Sequence, residues 1–259
     1  MPIAFTRAVS PRLAQCELTH LARVPIDLAA ALAQHAAYER APIDAGFALR
    51  RAPPLDEHPD GVFVEDTAII LGDHAIITRP GAPSRRDETL SIARMLEACL
   101  EVHTLAEGRV DGGDVLLIDR TLYVGASLRT DAAGIGALRA AAAPLGYETV
   151  AVDLRDCLHL KTCATSAGRD VAGDAVVIVD PRYVDPAVFT NAEPLLVTPE
   201  EGPAANAVRA LDTLLIAAGY PRLRDSLEAR RFAVREIDTS EFRKAEAALT
   251  CLSLLAPDL

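Results

Sequence analysis

The 259-residue chain is half apolar and 24% charged, the balance of a globular protein long enough to bury a full core. Its formal net charge of −11, absence of Trp and 4% aromatic content argue against nucleic acid, base stacking and anionic membrane, and favour a small cationic partner. The N-terminal "MPIAFTRAVSPR" lacks the apolar run of a signal peptide, no stretch is long enough to span a bilayer, and five cysteines without a CxxC read as reduced thiols, so a cytoplasmic protein is expected.

In chain order, "PIAFTRAV" reads as a lone strand. "GVFVEDTAII" reads as a strand buried on both faces, with Glu65 and Asp66 adjacent in its middle. Burying an unpaired carboxylate costs several kcal/mol, so the pair calls for a cation. "EDTAIILGDHAIITR" is a strand, a Gly-Asp turn and a strand, followed by "RPGAPSRR" and a helical pattern, "RRDETLSIARMLEACLE". "VDGGDVL" leads into a second hairpin, "GDVLLIDRTLYVG", then a helix, "TDAAGIGALRAAAAPLG", and a short strand, "ETVAVDL". His159 follows in "CLHLKT", and Cys251 lies in "ALTCLSLLA" close to the chain end.

The polar residues opening the hairpins, Asp66, Asp114, Cys163, Asn206 and Cys251, are separated by 48, 49, 43 and 45 residues. Such periods mark propellers or arrays. The first unit opens with a lone strand and the last, "TCLSLLAPDL", is cut short. Pairing the C-terminal strand with the N-terminal one completes a fifth unit and removes exposed edges. The expected fold is α/β: a five-bladed pseudo-symmetric propeller of strand–strand–helix–strand units, one domain over residues 1–259. Closure would bring Glu65, Asp66, Asp111, His159 and Cys251 to one end.

Taken singly, each of these residues has an ordinary explanation. A lone Cys in a strand is usually a small buried hydrophobe, a lone His is usually structural, and "RPGAPSRR" can be a turn before a solvated helix. Together they differ. A thiol with an imidazole is a nucleophile with a proton carrier, and neighbouring carboxylates suit a cationic substrate.

"PDGVFVEDTAII", "ITRPGAPSRRDE", "VDGGDVL", "YVGASLRT", "LHLK", "SAG", "AAN" and "LTCLSLL" run in order across nearly the whole chain. In these motifs the sequence resembles the dimethylarginine dimethylaminohydrolases of the guanidino-modifying (pentein) superfamily. The resemblance implies hydrolysis of Nω-methylated arginine to citrulline and a methylamine. Cys251 would be the nucleophile, His159 the general acid and base, and Asp111 the residue that orients His159. Asp66, with Glu65 beside it, would hold the guanidinium, the cation that the buried pair lacks. Arg85 and Arg129 would grip the α-carboxylate. Asp60, with the backbone carbonyls of Leu18 and Ala245, would take the α-ammonium.

The resemblance implies no metal or organic cofactor, because the guanidinium carbon is itself electrophilic. The partner would be a small cationic substrate, not nucleic acid or membrane, and a homodimer stays among the alternatives. Two departures stand out: Glu246 replaces an Asp, and Ala245 replaces a larger apolar residue. The loop "SPRLAQCELTHLA", which would cover the substrate, matches loosely. Arginine deimination or amidino transfer is the rival chemistry, and a non-catalytic binding module is the rival class. Lys161 argues against plain deimination, since arginine deiminases carry an Asp there.

Overall fold

The computed structural model describes residues 1–257 and 259; Asp258, in the closing stretch, lies outside them. β1 (Ile3–Arg7) is buried along its whole length. The longest described helix, α1 (Leu28–Ala45), starts where the Asp27 side chain accepts from the Ala30 N–H. It ends at Gly46, whose φ of 109° suits the left-handed cap of a residue without Cβ. β2 (Ala48–Ala52) then pairs parallel with β1.

The next two units repeat this order. One holds β3 (Ala68–Leu71), β4 (His74–Ile77), α2 (Glu88–Leu96) and β5 (Glu101–Thr104). The other holds β6 (Val115–Ile118), β7 (Thr121–Ala126), α3 (Ala132–Ala142) and β8 (Glu148–Asp153). A single turn, α4 (Leu160–Cys163), opens the fourth unit of β9 (Ala164–Arg169), β10 (Ala175–Val179) and β11 (Glu193–Leu196). Here a 3-10 turn, Pro186–Val188, replaces the crossover helix, as expected where Pro181, Pro186 and Pro194 interrupt the segment. β12 (Ala207–Ala210), β13 (Thr213–Ala217), α5 (Pro221–Ala229) and β14 (Ala233–Ile237) form the fifth unit. The short α6 (Ser240–Arg243) leads to β15 (Leu254–Ala256).

The chain thus makes five three-stranded sheets. In each, the inner strand runs antiparallel to the middle one, which runs parallel to the outer one. β15 supplies the inner strand for β1, with Ile3 opposite Ala256 and Phe5 opposite Leu254. Inner strands adjoin one another: β15 packs on β3, and β9 packs between β6 and β12. They surround a narrow cavity of about 270 Å³, whose wall includes Glu65, Lys161 and Thr250.

One expectation needs correction. Val64–Thr67 is a turn of 3-10 helix, and the strand begins only at Ala68. Glu65 and Asp66 are both buried, yet they are neighbours on a helical turn, so their side chains do not point to opposite faces of a strand. Thr67 Oγ1 donates to Val64 O at 2.6 Å, closing that turn. The other inner strands are also preceded by short helical turns: Gly112–Asp114, α4, Pro199–Ala205 and Thr250–Leu252. Cys251 therefore sits on a turn before β15.

Candidate active site

These opening turns place the chemistry-bearing side chains around a cavity of about 690 Å³, with Glu65, Gly113, His159, Lys161, Thr250 and Cys251 in its wall. Cys251 is partly exposed and accepts from the Ala248 N–H at 3.5 Å. Burial, followed by the charges of Glu65 and Asp66, pushes the Cys251 thiol well above its ordinary pKa, against opposing effects of the Ala248 N–H and Arg85. The resting group is the neutral thiol.

His159 lies at the N-terminus of α4, with Nε2 3.0 Å from Asp111 Oδ2. Asp111 is fully buried, and its Oδ1 accepts from the Gly81 N–H at 2.7 Å. Burial alone disfavours the imidazolium. The carboxylates of Asp66, Asp114 and Asp111 outweigh it and raise the pKa to about 10, so His159 carries a proton at neutral pH. Side-chain atoms of Asp66, Asp111 and His159 lie within 4.8 Å of one another. This crowding explains the double glycine. A Cβ on Gly113 would stand 2.6 Å from His159 Nδ1 and 2.8 Å from Asp66 Oδ1, and one on Gly112 would stand 2.0 Å from Glu65 O.

Both buried carboxylates already have cations within the chain. Asp66 Oδ2 accepts from Arg85 Nη1 at 2.5 Å, and Oδ1 accepts from the Gly113 N–H at 3.0 Å. Burial opposes its ionisation, but His159 and Arg85 hold its pKa at about 2. Glu65 accepts from Lys161 Nζ and from Thr250 Oγ1, each at 2.7 Å. The expectation that a substrate guanidinium alone answers this pair is thus corrected. The carboxylate facing the cavity is Glu65, and Asp66 stands behind it.

Arg85 is 4% exposed and donates to Glu88, Asp66 and the carbonyls of Asp60 and Phe63. It is ordered against Asp60, with its donors spent on the protein itself. Burial raises the Asp60 carboxyl pKa to about 6, opposed by Arg85 and the Glu17 N–H; that N–H donates to both Asp60 oxygens. Arg129 Nη2 donates to Thr19 Oγ1 at 3.0 Å. Leu18 packs against the core that contains Ala245.

The segment Leu18–Val24 contributes His20, Leu21, Ala22 and Val24 to the cavity wall. Glu246 anchors it. Its carboxylate accepts from the backbone N–H groups of Thr19 at 2.7 Å, His20 at 2.5 Å and Leu21. Glu246 itself adopts a φ of 55°.

Four site residues were not assigned a role from sequence. Lys161 pairs with Glu65. Asp114 accepts from the Leu160 N–H and from Ser127 Oγ, at 2.9 and 2.6 Å, which fixes the turn carrying His159. Asn206 accepts from the Thr250 N–H and donates to Thr250 Oγ1 and Lys161 O, tying the His159 turn to the Cys251 turn. Thr250 completes that link through Glu65. The signal for Asp114 and Asn206 was the repeat period itself, which marked both as unit-opening residues.

A family model described as arginine deiminase matches residues 51–192. The N(G),N(G)-dimethylarginine dimethylaminohydrolase of Streptomyces coelicolor is 38% identical over 259 residues, covering 99% of this chain and 97% of its own. That of Pseudomonas aeruginosa is 35% identical over 231 residues, covering 88% and 89%. The crystal structure of a Cys-to-Ser mutant of the Pseudomonas aeruginosa enzyme complexed with citrulline superposes with a TM-score of 0.90 at 32% identity, covering 97% of this chain and 98% of that one. The N-terminal domain of a cyanobacterial arginine dihydrolase shares the fold, with a TM-score of 0.84 at 20% identity. With 35–38% identity to two such enzymes over most of each chain and the same fold as one of them, the chain belongs to the dimethylarginine dimethylaminohydrolase family.

Proposed function

We propose that this chain hydrolyses Nω-methylated arginine to citrulline and dimethylamine or methylamine through a covalent intermediate on Cys251. The observation that carries the reading is the convergence of Cys251, protonated His159 and Glu65 on one cavity. The substrate guanidinium sits between Glu65 and Cys251, with Asp66 behind. Its charge offsets the two carboxylates and lets the thiol ionise, with its proton passing to solvent because His159 already holds one. The thiolate attacks the guanidinium carbon, forming the C–S bond. The His159 imidazolium gives its proton to the departing amine nitrogen, the C–N bond breaks, and a thiouronium remains on Cys251. Neutral His159 then takes a proton from water, whose oxygen adds to the same carbon. The adduct's hydroxyl gives up its proton as the C=O forms and the C–S bond breaks, citrulline leaves, and the released thiolate takes up a proton.

Asp111 holds His159 throughout. Arg129 and Arg85 serve the substrate α-carboxylate, Arg85 by exchanging one of its protein acceptors. Asp60 and the carbonyls of Leu18 and Ala245 receive the α-ammonium. Lys161, paired with Glu65 where arginine deiminases carry an Asp, favours a dimethylated substrate over arginine, because a dimethylated nitrogen has no donors for a second carboxylate fork. All five cysteines are free thiols in the reading of an enzyme that works in the reducing cytoplasm.

Mass spectrometry of products from arginine, monomethylarginine, asymmetric dimethylarginine and agmatine tests this. Citrulline is expected from the methylated arginines, with turnover falling roughly 10⁴-fold in Cys251→Ser. Citrulline from arginine alone, or none from any of them, would overturn the assignment.

A further inference from the structure

At the opposite end of β3 from Glu65 and Asp66, a second cluster of ligating side chains lies outside the catalytic cavity. His74 opens β4, directly beside Glu101 of β5 in the parallel ladder, and His103 follows two residues later on the same face of β5. The three side chains converge. His74 Nδ1 is 3.2 Å from His103 Nε2, His74 Nδ1 is 3.7 Å from Glu101 Oε2, and His103 Nε2 is 3.7 Å from Glu101 Oε1. The outward nitrogen of His74, Nε2, faces Asp73 Oδ1 at 3.4 Å.

We propose that His74, Glu101 and His103 form a binding site for a divalent transition metal ion of the zinc class. A tetrahedral zinc ion about 2.0–2.2 Å from each ligand spaces neighbouring ligand atoms roughly 3.3–3.6 Å apart. The two Glu101 contacts are to different oxygens, but one ligand atom from each of the three residues lies within 4.8 Å of the others, so a small side-chain adjustment brings them to that spacing. Two neutral imidazoles and one carboxylate select zinc-like ions over magnesium or calcium, which take all-oxygen sites. The carboxylate behind a ligating imidazole is the usual outer partner of such a site, fixing the ring and raising its basicity, and Asp73 stands there. The ligands are pre-positioned because His74 and the β5 pair are held on adjacent strands of one sheet. Glu101 is 69% exposed and the imidazoles are partly exposed, so an ion can enter from solvent, with water as its fourth ligand.

The test is a calorimetric titration with zinc chloride of chains carrying Cys251→Ser, which removes the catalytic thiol as a competing ligand. One zinc per chain is expected, weakened at least 30-fold by adding His103→Ala or His74→Ala. Asp73→Asn is expected to weaken binding roughly tenfold, as loss of an outer partner does. Cobalt chloride should give the visible bands of a tetrahedral site, and these should vanish with His103→Ala. Circular dichroism and melting in a chelator verify that each variant is folded. Unaltered zinc affinity in both histidine variants, or no zinc bound by the parent Cys251→Ser chain, would refute the site and leave the imidazole contact as an ordinary hydrogen bond.

Discussion

Cys251 faces two carboxylates, and its thiol is pushed up by burial and by Glu65 and Asp66. A bound guanidinium within about 4 Å contributes roughly 4 kcal/mol at an effective dielectric near 20, enough to move a pKa by a couple of units. Alkylation of Cys251 by a neutral reagent is therefore expected to report a pKa above that of an ordinary thiol, and alkylation by a small amidine with the same leaving group a lower one. A single low value with both reagents would mean a permanent Cys251–His159 ion pair. His159 makes a separate, global contribution. Its pKa is about 10 in the folded chain against roughly 6.5 unfolded. A raised histidine stabilises most below pH 6.5, and this contribution is lost as pH rises through about 10. The stability difference between wild type and His159→Gln, read from urea denaturation, should shrink from pH 6 to pH 10. A constant difference would place the proton elsewhere.

At the scale of the element, the segment over the cavity depends on a carboxylate from a distant part of the chain. Glu246 binds three consecutive backbone N–H groups of Thr19, His20 and Leu21, and Arg129 binds the Thr19 hydroxyl. Charge-assisted bonds of this kind are worth about 1.5–3 kcal/mol each against an unpaired donor, less where water replaces the partner. The Glu246→Gln variant is expected to raise KM five- to thirtyfold with kcat changed much less, and to speed proteolytic cleavage between Glu17 and Val24. Equal loss in KM and kcat, with cleavage unaltered, would show that Glu246 supports the Cys251 turn instead. Glu246 reaches these donors from a left-handed backbone conformation, with a φ of 55°.

At the scale of the molecule, the two ends of the chain hold one sheet together. Phe5 is fully buried in the cluster formed by Val64, Ile77, Ile92, Leu96 and Leu254, so it joins the N-terminal strand, the C-terminal strand and the unit that carries Glu65. Replacing a buried Phe by Ala removes contacts and leaves a cavity, at a cost of about 3–5 kcal/mol. Phe5→Ala should lower the melting temperature by several degrees or more and reduce activity in proportion to the unfolded fraction. Full stability in that variant would mean the β1–β15 pairing is dispensable. No helix among the described residues is long and apolar enough to cross a membrane.

Some of this was fixed locally and could be read without a structure. The hairpins around Gly72-Asp73 and Asp119-Arg120 follow from alternating apolar runs broken by turn residues, and the repeat of about 45 residues follows from how much chain one unit needs to bury its helix. The same period brought Glu65, Asp66, Asp111, His159 and Cys251 to one end. Other features were decided only by tertiary contact. The strand expected through Glu65 and Asp66 is a helical turn, because Gly113, Arg85, Lys161 and Thr250 arrive from distant positions to satisfy the carboxylates there. Arg85 resembles an exposed helix-start cation in sequence, yet it is buried as the partner of Asp66 and Glu88. The three ligands around His74 are likewise separated in sequence and adjacent only across a parallel ladder. Periodicity reports which face of an element is buried. It carries no information about which charged group from another unit will meet that face, since that depends on how the units close around their axis.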